Sequence, residues 1–321
     1  MVDPALILPP TPDERWQLAK QMGVTKAVIH PLEIGDDRTD WSYDDLLLLT
    51  NWFEEAGIEV SVIEGSVPIT QRVRLGREGR DEDIEEFKQF LRDCGRVGIP
   101  VVCYDWMAGI RWARTEAHVE SRGGSYVTAY TNDRMHADEQ DAPFDVSREE
   151  LWEAIEYFLN EVVPVAEEAG VKLGLHPDDP PRESVRGIPR IINSPEAYQR
   201  VLDCYESEHN GVTFCQGNFA AMGVDVPETI RRFGDRINFI HFRDVEGDAD
   251  DFVETWHDEG PTDMLAAMRA YEEAVDDDVV MRPDHVPTMA GEDNSNPGYH
   301  TKGRLFAIGY MRGLREQALQ E

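Results

Sequence analysis

The sequence predicts an α/β protein, a (β/α)8 barrel. Short β-branched runs alternate with longer amphipathic stretches from end to end, eight such pairs can be counted, and no Gly-x-Gly-x-x-Gly or Walker loop interrupts them. An open, doubly wound sheet is the alternative arrangement of the same units, and the absence of such a loop favours the barrel over a dinucleotide-binding sheet.

The candidate strands are Ala5 to Leu8, Lys26 to His30, Ile58 to Glu64, Pro100 to Asp105, Val171 to His176, Gly211 to Cys215, Ile237 to Arg243 and Asp278 to Asp284. A helical pattern follows each: Asp13 to Met22, Tyr43 to Ala56, Glu82 to Val97, Ser147 to Ala169, Ser194 to Tyr205, Pro227 to Phe233, Asp263 to Ala274 and Lys302 to Leu319. Ser194-Pro195-Glu196 supplies an N-cap with proline at the first helical position, and Gly57, Gly98 and Gly170 each fall just past a helix end. A stretch of roughly forty residues, 106 to 146, follows strand four and is far longer than an ordinary connection, so it reads as a lid within a single domain, 1 to 321.

Composition narrows the function classes. With 41% hydrophobic residues, the chain has material for a large core. It lacks an apolar run of membrane-spanning length and a basic leader, which predicts a cytoplasmic location. Cys94, Cys103, Cys204 and Cys215 are too scattered for a disulfide framework or a paired zinc motif. The net charge of −33, from 64 acidic against 31 basic residues of which only five are Lys, repels nucleic acid and anionic membranes. The acids are spread along the whole chain, as in a solvated exterior suited to high salt and a salt-loving organism. Self-association is left open by the sequence.

In a barrel of this kind the active site sits at the carboxyl ends of the strands. There, strand five ends in His176, strand six in Cys215, strand seven carries His241 and strand eight ends in Asp284. Alternation along a strand places each with the residue two before it, so these four converge if their faces point inward. Two imidazoles, a thiolate and a carboxylate would bring two negative charges to one divalent ion and leave positions open for a substrate. Each residue taken alone reads better as core or cap; four ligand types on four adjacent strand ends together favour a metal site.

At these residues the chain resembles the mannonate dehydratases of hexuronate catabolism, members of the xylose-isomerase-like barrel superfamily. The resemblance covers most of the chain. Its motifs are Val62 to Pro68, Val101 to Met107, Trp112 to Glu116, His176-Pro177-Asp178-Asp179-Pro180-Pro181, Gly187 to Ile191, Thr213-Phe214-Cys215, Arg282-Pro283-Asp284-His285 and Pro297-Gly298-Tyr299. It implies that His176, Cys215, His241 and Asp284 bind Mn(II) or Fe(II), that His285 and Tyr299 transfer protons, and that the reaction converts D-mannonate to 2-keto-3-deoxy-D-gluconate and water. The family pattern is departed from at the plain aliphatic first strand, at Asp105 in place of its usual Asn, and at Gly109-Ile110-Arg111. Those departures bear on which sugar acid is bound more than on the metal.

Arg114, Asp178 and Asp179 are candidates for holding the substrate, since Arg pairs bidentately with a carboxylate and Asp accepts from hydroxyls; a structural ion pair bracing the lid is the competing assignment. Cys103 reads as core. Two other functions use the same frame: a sugar isomerase or epimerase of the same superfamily, and a metal-binding barrel without turnover.

Overall fold

Eight parallel strands close into a barrel in the computed structural model, which describes residues 2–30, 41–65, 67–136 and 144–320. In chain order the strands are Asp3–Ile7, Lys26–Ile29, Glu59–Glu64, Val101–Asp105, Lys172–His176, Asn210–Cys215, Ile237–Phe242 and Val280–Pro283, and the first pairs with the last. Each predicted strand is present, with ends moved by one or two residues.

Two apolar layers explain the closure. Ala5, Ile7, Val28, Val62, Val101, Cys103, Phe239 and Val280 fill the inside of the barrel. A larger cluster, including Phe87, Phe158, Leu159, Val163, Tyr198 and Phe214, packs the outer strand faces against the helices. Side chains alternate between the two layers because strand residues point to opposite faces. The long helices Tyr43–Glu55, Arg80–Val97, Arg148–Ala169 and Thr301–Ala318 stand in the outer ring. Ser42 and Ser147 open two of them with reciprocal capping boxes to Asp45 and Glu150. Gly98 closes Arg80–Val97 and Gly170 closes Arg148–Ala169 in the left-handed conformation that glycine adopts without strain. No described helix is long and apolar enough to cross a membrane.

The stretch after strand four differs from a plain lid. Residues 137–143 of it lie outside the described residues, but Glu116–Glu120 and Tyr126–Thr131 form an antiparallel hairpin. That hairpin pairs with Asp251–Glu254, which pairs in turn with Val245–Gly247. A four-stranded sheet thus joins the loop after strand four to the loop after strand seven and walls one side of the barrel mouth. Tyr130 and Phe252 stack across it at 5.8 Å and bury with Ala113, Ala221 and Val245.

Candidate active site

Register brings the strand ends together. Cys215 lies opposite His241, and His241 opposite Arg282, so strands six, seven and eight deliver their polar residues to one level. Ligand atoms of His176, Cys215 and His241 all lie within 4.8 Å of one another. Asp284 adjoins them, its Oδ2 being 3.7 Å from Cys215 Sγ and 3.6 Å from His241 Nδ1. Phe239 forms the floor, edge-on to the His241 ring at 4.7 Å.

This donor set fits a divalent ion. The Nδ1 of His176 lies 2.7 Å from the Pro177 carbonyl and donates to it in the tautomer that leaves Nε2 bare, the usual arrangement behind a metal-binding histidine. The Nε2 of His241 is fully buried, with Glu64 Oε1 3.3 Å away and no well-aligned hydrogen bond among the described residues. Although burial opposes it, and at His241 Arg282 as well, both imidazoles are pushed toward their cationic forms, His176 by Cys215 and His241 by Glu64 and Asp284. A metal ion satisfies the same negative field with the rings neutral.

Each anionic donor has its own guanidinium. Arg282 donates to Asp284 Oδ1 at 2.7 Å and grips Glu64 through two further bonds of 2.8 and 2.5 Å. Burial works against ionisation of Asp284, but Arg282 holds its carboxyl well below the usual range. Arg243 donates to Cys215 Sγ at 3.3 Å. Burial pushes a thiol up, yet Arg243 and hydrogen bonds with His176 and His241 bring Cys215 down to about 6. Glu64, Cys103 and His241 form a second close group that shares His241 with the first. Gly174 makes room there, since a Cβ on it would lie 2.5 Å from Thr213 Oγ1, which donates to Cys103 Sγ at 3.3 Å.

A cavity of about 260 Å³ opens above this group, lined by His176, Asp284, His285, Tyr299, Trp112 and Arg111 among others. His285 Nε2 is 3.4 Å from the Tyr299 hydroxyl and 3.5 Å from Asp284 Oδ2. Burial keeps the His285 imidazole unprotonated well below its ordinary pKa and raises that of the Tyr299 phenol. His285 has a φ of 46°, and the bare Gly298 lets its ring approach, a Cβ there falling 3.3 Å from Nδ1. Trp112 lies against the same ring at 5.3 Å and remains 39% exposed at the mouth.

The three candidate substrate-holding residues divide. Asp179 lines the cavity, but both its oxygens are bound by Arg114, at 2.6 and 3.1 Å, and Oδ2 also by Arg243 at 3.0 Å. Arg114 does not line it; its side chain is buried and also reaches Glu254 Oε1 at 2.6 Å. Asp178 faces away, accepting from the Ile192 amide at 2.7 Å with Arg190 Nη1 3.8 Å off, and so fastens the loop after strand five. Arg114 and Asp179 tie the side sheet to the barrel, which is the bracing geometry. Cys103 is buried among core residues, as its surroundings in the sequence indicate, but it also borders the cavity.

Glu64, Arg111, Trp112 and Arg282 fall inside segments quoted from the sequence but have no role assigned there, and Arg243 and Glu254 are not singled out at all. For Arg282 and Glu64 a signal existed: each lies at a strand end, Arg282 two residues before Asp284. Arg111 binds Asp105 and the Gly65 carbonyl, an arrangement for which the sequence offers no local pattern.

A family model for D-mannonate dehydratase, UxuA, matches residues 16–144 and 138–321. The mannonate dehydratase of Streptococcus suis strain 05ZYH33 is 34% identical over 96% of this chain and 90% of its own length. The crystal structure of mannonate dehydratase from Streptococcus suis serotype 2 superposes with a TM-score of 0.90 at 33% identity, covering 99% of this chain and 94% of that one. An L-ribulose 3-epimerase structure, at 13% identity and a TM-score of 0.62, shares the barrel fold. The chain therefore belongs to the mannonate dehydratase family, metal-dependent hydro-lyases built on a (β/α)8 barrel.

Proposed function

We propose that this protein removes water from D-mannonate to give 2-keto-3-deoxy-D-gluconate, using one Mn(II) or Fe(II) held by His176, Cys215, His241 and Asp284. The observation that carries the reading is the meeting of three ligand atoms within 4.8 Å beneath a cavity that also holds His285 and Tyr299. When bound, the ion supplies Lewis acidity toward the substrate's carboxylate and hydroxyl oxygens, where negative charge develops as C2 loses its proton.

The residues divide the proton work by what burial does to each. His285, kept neutral, takes the C2 proton at Nε2. Tyr299, kept protonated, gives its proton to the departing C3 hydroxyl, which leaves as water. The resulting enol becomes the ketone by losing its O2 proton and gaining one at C3. The 3.4 Å contact between the two groups lets the imidazolium return a proton to the phenolate and restore the starting state. Trp112, lying over His285, limits the access of bulk water to that exchange.

The test is incubation of pure protein with Mn(II) or Fe(II) and a panel of aldonates, followed by a colour assay for keto-deoxy products. D-mannonate is expected to give product, and His285→Phe and Tyr299→Phe to lower kcat by roughly 100-fold or more with metal content unchanged. An isomerised aldonate without loss of water refutes the reaction. A preparation that neither contains nor responds to a transition metal refutes the site.

A further inference from the structure

Arg243 follows the seventh strand and is 1% exposed, yet no step above uses it. Glu254 holds it through two bonds, Nε to Oε2 at 2.8 Å and Nη2 to Oε1 at 2.9 Å. Its Nη1 is shared among Asn218 Oδ1 at 2.8 Å, Asp179 Oδ2 at 3.0 Å and Cys215 Sγ at 3.3 Å. The stem passes through a notch left by Gly217, where a Cβ would lie 2.8 Å from both Cγ and Nε of Arg243. A guanidinium aimed this firmly at a buried sulfur is a built contact.

Thiolate ligands favour soft ions, and a hydrogen bond to the sulfur withdraws the electron density that it would donate. We infer that Arg243 is a positioning residue for the metal centre: it hydrogen-bonds the Cys215 sulfur, weakens it as a donor, and so lets a site containing a thiolate retain a hard ion such as Mn(II) against Zn(II). The inference rests on the reading of Cys215 as a ligand. The Arg282 bond to Asp284 gives the carboxylate ligand a matching partner, so both anionic donors are moderated by a cation.

Co(II) provides a readout independent of turnover. In the Co(II)-loaded full-length protein, the sulfur-to-cobalt charge-transfer band reports the energy of the sulfur lone pair. Arg243→Met removes the donor; Gly217→Ala keeps the charge but displaces the stem, and it decides the matter if Arg243→Met does not fold. Both variants are expected to move the band to lower energy, and the Zn(II) to Mn(II) affinity ratio, measured by competition, is expected to rise on the order of tenfold. An unshifted band and unchanged ratio in a folded Arg243→Met protein overturn the inference, as does an unshifted band in Gly217→Ala when that is the variant that folds. Absence of any such band in the unmutated Co(II) protein removes Cys215 as a ligand, and the inference with it.

Discussion

Replacing Arg114 by Met separates bracing from substrate recognition. The guanidinium makes two bonds to Asp179 and two to Glu254 Oε1, at 2.6 and 3.2 Å, all buried, and among the described residues Arg243 would remain as the arginine facing both carboxylates. One buried negative charge is then uncompensated, which costs about 3–5 kcal/mol when a partner is removed from a buried pair. Unfolding entropy scales with length, so for 321 residues this amounts to a Tm lower by roughly 4–8 °C. The sign with pH is fixed by Asp179, whose carboxyl burial would raise but Arg114 and Arg243 hold far below the usual range. Such a group stabilises the fold above its unfolded pKa, and that contribution is lost as pH falls toward the folded value. The gap between the two proteins should therefore be widest near neutrality and narrow below about pH 4. Thermal and urea unfolding across pH measure it. An unchanged melting temperature together with a large rise in KM for the sugar acid would refute the bracing role and return Arg114 to the substrate.

Two other outcomes follow from burial and charge. His257 is buried, its Nε2 2.9 Å from the Phe242 carbonyl and its Nδ1 without a hydrogen-bond partner among the described residues, and burial lowers its pKa to about 4. The unfolded chain binds a proton there first, so stability falls as pH drops from about 6.5 to 4; His257→Gln should remove about 3 kcal/mol of that slope in urea melts, and an identical slope would contradict it. With a net charge of −33, the unfolding midpoint is expected to rise from low salt to molar KCl as self-repulsion is screened, and a flat or falling midpoint would dismiss the high-salt reading of the surface.

The eight strands were legible because each is a local run whose alternation and flanking caps are contained in a few neighbouring residues. The candidate ligands were legible for the same reason, since His176, Cys215, His241 and Asp284 stand at or next to predicted strand ends and the barrel rule says where those ends meet. The side sheet was missed although Tyr126–Thr131 alternates, because the strand that completes it, Asp251–Glu254, lies more than a hundred residues further on. Asp178 and Asp179 show the limit of chemistry read by residue type: adjacent, both acidic, and turned to different partners.

Periodicity and strand-end chemistry in the linear chain were enough to specify a barrel and four candidate ligands at its strand ends. Closure of the barrel decided which charges surround them, bringing Glu64 to Arg282 across 218 residues and Arg114 to Glu254 across 140. Ion pairs between such distant positions leave no periodic trace, because their geometry is imposed by packing of the whole sheet and not by any local backbone preference.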